Sequence, residues 1–365
     1  MSFDIKNLQN LDAYALVRPL LFKMDPEAAH NLAIAVLKKG LLPKISNDFG
    51  PELRTSVCGL TFSNPFGMAA GFDKQAEAMN ELFRLGFSCV ETGTVTPNPQ
   101  EGNPKPRMFR APGNEALINR FGFNSIGFQQ FLRHIIAWSD ETQQKKPGIL
   151  GINIGTNKDS ASPIDDYVLG VRSFAPFAHY LTINVSSPNT PGLRNWQERG
   201  PLTDLLRNVF EARAGLSRKP PIFLKIAPDL NDSQAEDIVS VALELGVDAL
   251  IISNTTVSRP AFLPKKFAEE KGGLSGRPLF EMSTELLRHI HVLTRGKLPL
   301  IGSGGVFTAE DAYAKIRAGA SLVQIYTAMV YKGPYLVPKL CKGLKTLLMR
   351  DGFANVSQAV GVDAH

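Results

Sequence analysis

From about residue 55 onward, apolar and polar positions alternate between two periods. Short continuous apolar runs recur at 64–70 (NPFGMAA), 88–94 (SCVETGT), 149–155 (ILGINIG), 180–186 (YLTINVS), 222–227 (IFLKIA), 248–254 (DALIISN), 298–303 (LPLIGS) and 321–327 (SLVQIYT), eight in all. Between most of them lie segments whose apolar residues return at helical spacing, among them 75–85, 201–216, 233–245, 279–294 and 308–318. Strands that are apolar throughout and alternate with amphipathic helices predict a parallel sheet with both faces covered. Eight such units predict a closed (β/α)8 TIM barrel. A doubly wound open sheet is the runner-up, although it more usually has about six strands. The stretch VCGLTF at 57–62 precedes the first unit and predicts a hairpin strand that plugs the barrel bottom.

Residues 1–45 follow another pattern, and we read them as a region separate from a barrel over 46–365. LDAYALVRPLLFKM is apolar around most of its turns, with Arg18 and Lys23 as its charges. DPEAAHNLAIAVLKKG is punctuated as a helix: Asp25 as N-cap, Pro26 at the first position, Lys38 and Lys39 in the last turn and Gly40 as C-cap. Two short helices in a hairpin are expected. Two connections in the barrel exceed ordinary βα loops, 96–123 (rich in Pro, Gly and Asn) and 255–276. Long loops in a compact domain are usually lids or binding loops, and both would leave from the carboxyl ends of strands.

Composition narrows the picture. With 44% hydrophobic and 20% charged residues the 365-residue chain is ordinary globular material. Cys58, Cys89 and Cys341 are scattered, which suggests neither a disulfide framework nor a zinc site. A net charge of +6 suits an anionic substrate, a phosphate-bearing cofactor or an acidic membrane surface. Nucleic acid is not expected, because no Lys/Arg run or aromatic–basic ladder occurs. The N-terminus does not read as a signal peptide, and no apolar run approaches a spanning helix.

Polar residues gather where the strands end: Asp73 and Lys74, Thr92 and Thr94, Asn153, Asn184 with Ser187 and Asn189, Lys225, Ser253 with Asn254 and Thr255, Ser303, and Tyr326 with Thr327. Amides and hydroxyls with two lysines suit a small anionic or cyclic-amide ligand, since each asparagine both donates and accepts. IGSGGVF (301–307) and IYTAMV (325–330) end the seventh and eighth runs, and the loops there are the usual phosphate site of this fold. Backbone N–H groups of Gly304, Gly305, Tyr326 and Thr327 are the candidates. No G-x-G-x-x-G follows a first strand, no H-E-x-x-H occurs, and the histidines and acids never cluster, so neither a nicotinamide site nor a metal is expected. Ser187 is not in G-x-S-x-G, and no histidine falls at a strand's carboxyl end. Lys225 has two readings: a Schiff-base nucleophile of a barrel lyase, or a fixed cation beside an electron-accepting ring.

The segments AAGFDK, INRFGFNS, GINIGTNK, NVSSPNTPGLR, SNTTVSRP, GGLSGRPL and GASLVQIYTAMVYKGP occur in this order from 69 onward. Together they resemble the quinone-dependent (class 2) dihydroorotate dehydrogenases over nearly the whole chain. The resemblance implies an FMN enzyme of pyrimidine (UMP) synthesis that oxidises (S)-dihydroorotate to orotate and passes electrons to a membrane quinone. By motif, Ser187 matches the base that takes a proton from substrate C5 while hydride leaves C6 for the flavin. Lys74, Asn119, Arg120, Phe121, Gly122, Phe123, Asn184, Asn189, Asn254 and Thr255 match the substrate site. Ala70, Gly71, Phe72, Asp73, Lys74, Thr94, Asn153, Asn184, Lys225, Ser253, Gly276, Gly305, Tyr326 and Thr327 match the flavin site, and His30, Arg110 and Tyr326 the quinone approach. Soluble class 1 relatives place cysteine where Ser187 stands and lack an extension like 1–45. That extension is then expected to lie on an anionic membrane surface and admit the quinone; a helical cap on the barrel is its plainer reading. A monomer, peripheral on the cytoplasmic side of a bacterial inner membrane, is the implied setting. Phe72 and Ser253 depart from the leucine and threonine usual in these motifs.

Overall fold

The computed structural model describes residues 13–42, 44–141 and 147–364; residues 1–12 of the N-terminal region lie outside them. The strands in chain order are β1 (Thr55–Val57), β2 (Leu60–Phe62), β3 (Phe66–Met68), β4 (Cys89–Val95), β5 (Met108–Ala111), β6 (Ala116–Asn119), β7 (Ile149–Ile154), β8 (Tyr180–Asn184), β9 (Ile222–Ile226), β10 (Ala249–Ile252), β11 (Gly273–Gly276), β12 (Leu300–Ser303) and β13 (Ala320–Ile325). Eight of them close a parallel barrel in the order β3-β4-β7-β8-β9-β10-β12-β13, with β13 returning to β3 through Val323 opposite Phe66. Each of the eight apolar runs contributes one barrel strand. Their residues read as runs because the barrel interior buries one face and the helices bury the other. The five amphipathic segments are helices, for example Arg199–Ala214, Asp232–Leu245 and Ala309–Arg317. Asn231 and Thr308 each close a capping box at their helix starts.

β1 and β2 form the expected hairpin, turning through Cys58 and Gly59, both at positive φ. Val57 and Phe62 pack with Tyr180, Phe223, Ala249, Ile251, Ile301 and Leu322 across the amino end of the barrel. The bottom is therefore filled, and the carboxyl ends of the strands are left as the open mouth. The two long connections are not structureless loops. β5 and β6 come from the first and β11 from the second, and they pair antiparallel in the order β11-β6-β5, with Gly276 opposite Ala116.

The N-terminal helices are α1 (Ala13–Leu21) and α2 (Pro26–Lys38). Asp25 caps α2 by accepting from the Ala28 N–H at 2.9 Å. The cap at the other end is Lys39, one residue earlier than the sequence suggested, with Gly40 following at φ +65°. The hairpin lies against the barrel: Tyr14 Oη donates to the Val330 carbonyl at 2.5 Å and Arg18 to the Tyr331 carbonyl at 3.0 Å. Glu27 is buried in a bidentate pair with Arg107, on the segment leading into β5. The opposite side is apolar and exposed, with Leu16, Leu20 and Leu41 each about two-thirds accessible. Among the described residues no helix is long and apolar enough to cross a membrane.

Candidate active site

At the mouth, side chains from consecutive strands bond one another. On β4, Thr94 Oγ1 donates to Asn153 Oδ1 of β7 at 2.5 Å. Asn184, which ends β8, donates from Nδ2 to Thr94 Oγ1 (2.9 Å) and Asn153 Oδ1 (3.1 Å). Asn153 Nδ2 in turn donates to Glu91 Oε1 at 2.7 Å, and the other Glu91 oxygen accepts from Tyr180 Oη and Gln324 Nε2. All are buried. A buried carboxylate with three donors locks the amide orientations above it, so the predicted asparagines are pre-aimed. Glu91, Tyr180 and Gln324 were absent from the sequence-derived site. The available signal was a charge inside an otherwise continuous strand run.

Beyond β8 the chain turns at Ser186–Ser187–Pro188. Ser187 is 7% exposed, and its Oγ accepts from the Asn189 N–H at 3.3 Å. Asn189 Nδ2 donates to Asn119 Oδ1 of β6 (3.2 Å), while Asn254 Nδ2 donates to Ser186 Oγ (3.0 Å). Arg194 ties this turn to the next strand's loop, donating to the carbonyls of Ser186 and Thr255 and pairing with Asp229. The structure thus brings Ser187, Asn184, Asn189, Asn119 and Asn254 to one place. Among the described residues no histidine bonds to this group: His179 accepts from the Leu150 N–H at the opposite end of the strand.

A cleft at the ends of β9, β10, β12 and β13 is lined by Ala70, Lys225, Ser253, Asn254, Thr255, Gly276, Gly304, Gly305, Tyr326 and Thr327. Lys225 is 5% exposed, and its ammonium has no ion-pair partner among the described residues. Burial lowers its pKa, against the opposing charge of Glu91. Thr255 Oγ1 and Gln324 Oε1 are buried without a hydrogen-bond partner in the same cleft. A Cβ on Gly305 would stand 2.5 Å from Phe280 Cα, and its φ is +76°. Orphaned donors and acceptors, a bare cation and a glycine floor fit a polar ligand with an anionic end.

Next to this cleft, His30 of α2 meets Phe72 edge-on at 5.3 Å, and Phe72 meets Tyr326 at 5.7 Å. His30, Phe72 and Arg110 line an apolar cavity of about 500 Å³ under α1 and α2, together with Leu21, Phe22, Ala33 and Met329. Burial and the Lys74 charge hold the His30 pKa down at about 4, so the ring is neutral at pH 7. Lys74 lies 3.6 Å above the Phe121 ring and donates to Asn124 at 2.6 Å; burial brings its pKa down to about 7.

Six predicted residues serve the scaffold with their side chains or backbone groups. Both Asp73 carboxylate oxygens accept backbone N–H groups, of Glu77 and Ala78 at 2.8 Å, and so hold the turn before Met79–Arg84. The Arg120 guanidinium pairs with Glu270, on the segment before β11. Arg110 donates to the carbonyls of Leu21, Phe22 and Met24, at and just beyond the end of α1, and also lines the apolar cavity. The Gly122 and Phe123 carbonyls accept from Gln100 Nε2, and the Gly71 N–H donates to the Gly93 carbonyl. Electronegative side chains in a loop do not announce which of them the backbone will claim.

A closed (β/α)8 barrel with a hydrogen-bonded amide ring and a polar cleft at the strand carboxyl ends defines a barrel enzyme. The family model described as dihydroorotate dehydrogenase matches residues 52–348, and this chain belongs to that family. It is 50% identical over 355 residues to the dihydroorotate dehydrogenase (quinone) of Parvibaculum lavamentivorans, covering 97% of this chain and 100% of that one. It is also 50% identical to the mitochondrial dihydroorotate dehydrogenase (quinone) of Mus musculus, over 93% of this chain and 87% of that one. A crystal structure of the Eimeria tenella enzyme in complex with ferulenol superposes with a TM-score of 0.90 at 42% identity, over 95% and 98% of the two chains.

Proposed function

We propose that this protein is a quinone-dependent dihydroorotate dehydrogenase of pyrimidine synthesis that holds FMN in the glycine-floored cleft. The observation that carries the reading is the joint presence, on one mouth, of Ser187 among four asparagines and of the bare Lys225 cation beside Gly304–Gly305. Asn119 and Asn189, bonded to each other, and Asn254 with Thr255 present amide and hydroxyl groups of the kind a cyclic diamide needs. Ser187 Oγ takes the substrate proton as its own hydroxyl proton passes to a hydrogen-bonded water at the mouth, so that the serine ends the step neutral. Lys225 places positive charge where the cofactor ring gains electron density. Bound FMN supplies the hydride acceptor and the electron store between dihydroorotate and quinone.

The apolar cavity under α1 and α2 suits the quinone, since it is lined by aliphatic and aromatic groups and reaches the cleft through His30, Phe72 and Tyr326. Leu16, Leu20 and Leu41 are exposed, as are Lys23 and Lys39 of the same hairpin, which suits peripheral attachment to an anionic membrane; we assign a monomer. The relatives include bacterial and mitochondrial proteins; a bacterial inner membrane, on its cytoplasmic side, is our assignment. The Schiff-base reading of Lys225 is set aside, since the relatives above are all named dehydrogenases. Purified protein is expected to be yellow and to bleach anaerobically with dihydroorotate. A colourless protein that FMN does not reconstitute refutes the proposal.

A further inference from the structure

Lys315, on the helix Ala309–Arg317 behind β12, is 0% exposed and makes no ion pair among the described residues. Its Nζ donates to Ser283 Oγ at 2.8 Å and Thr284 Oγ1 at 2.9 Å, and stands 5.2 Å from the centre of the Phe280 ring. A lysine is almost never fully buried without a counter-charge. Asp311 is the carboxylate that acts on it, but one Asp311 oxygen accepts the Phe307 and Thr308 N–H groups and closes the helix cap. Burial accordingly lowers the Lys315 pKa to about 7, with Asp311 opposing.

What lies on the other side of Ser283 is the glycine loop. Ser283 Oγ is 3.3 Å from the Gly304 carbonyl oxygen and 3.2 Å from that of Phe280. Because the ammonium occupies a lone pair of the serine oxygen, the hydroxyl proton is left for one of these carbonyls. A Gly304 carbonyl turned toward Ser283 points the Gly305 N–H the opposite way, since the two are antiparallel in one peptide plane. Phe280 also forms the wall that any Cβ at Gly305 would strike.

We propose that Lys315 is a positioning residue for the cofactor phosphate. Through Ser283 it fixes the Gly304–Gly305 peptide, and from behind the loop it supplies the positive charge that the phosphate dianion completes. The proposal rests on the reading that FMN occupies this cleft. It assigns to a residue outside the cleft the preference for a phosphorylated flavin over an uncharged one.

The test uses full-length protein stripped of flavin and titrated with FMN and with riboflavin, followed by flavin fluorescence and by 31P NMR of the bound phosphate. Lys315→Met is expected to weaken FMN by about tenfold or more and to leave riboflavin within about twofold, since a charge acts on the phosphate alone. The second ionisation of the bound phosphate is expected to move to higher pH in that variant. Equal losses for FMN and riboflavin, or an unshifted phosphate ionisation, overturn the proposal and leave Lys315 a packing residue. If Lys315→Met does not fold, Ser283→Ala decides, because it cuts the link and keeps the charge: a fall of a few-fold in the FMN-to-riboflavin preference is expected, and an unchanged preference overturns the proposal. Wild-type protein that takes up riboflavin as tightly as FMN overturns it too. Wild-type protein that takes up neither refutes the flavin reading itself.

Discussion

Glu27→Gln tests whether the N-terminal hairpin is tied to the loop at 96–123 through one buried ion pair. Glu27 receives three hydrogen bonds from Arg107, at 2.8, 3.0 and 3.3 Å, and the two side chains are 12% and 9% exposed. Arg107 also donates to the carbonyls of Glu101 and Asn103, and Asn103 Nδ2 donates to the Asn189 and Arg120 carbonyls. Replacing the carboxylate removes charge-assisted bonds and strands a guanidinium, which costs about 3 kcal/mol for a pair this buried. For a chain of this length that is a fall in melting temperature of roughly 4 °C if unfolding is global. Arg107 holds the Glu27 pKa below the usual glutamate value. A depressed pKa means the pair's stabilisation is complete above the unfolded-state pKa, about 4.3, and is lost as pH falls through the lower folded value. Wild type and variant are therefore expected to differ at pH 7 and to converge at acid pH. The assay separates flavin reduction by dihydroorotate, in stopped flow, from quinone reduction. Quinone reduction is expected to fall by about tenfold and flavin reduction by much less, because α2 walls the apolar cavity while the loop at 96–123 keeps its other anchors. Equal losses in the two half-reactions, or an unchanged melting temperature at pH 7, refute this account.

Three further outcomes are expected. Ser187→Ala keeps its flavin and slows flavin reduction by about 10²–10⁴-fold, the usual contribution of positioned acid–base catalysis; near-normal reduction in stopped flow removes Ser187 from the chemistry. Gly305→Ala places a methyl 2.5 Å from Phe280 Cα at φ +76°, so protein purified with normal flavin content counts against the phosphate loop. Leu16→Glu with Leu20→Glu alters two side chains that are 67% and 65% exposed; sedimentation with anionic vesicles is expected to be lost at unchanged melting temperature. Undiminished vesicle binding places the membrane face elsewhere.

The eight barrel strands were legible because a strand buried on both faces must be apolar throughout, a property of the strand's own residues. The hairpin at 57–62 and the Asp25 cap were readable because their partners lie a few residues away. Most of the polar rim followed from knowing where each strand ends. Tertiary structure alone decided the rest. The sheet that joins β11 to β6 pairs Gly276 with Ala116, and Glu27 finds Arg107 eighty positions along the chain. It also drew Asp73 and the guanidiniums of Arg110 and Arg120 into scaffold bonds, put Glu91 beneath the amide ring, and left Lys315 buried behind the glycine loop. Periodicity records whether a residue is buried. Which distant group it meets there is set by how the elements pack, and no local pattern carries that information.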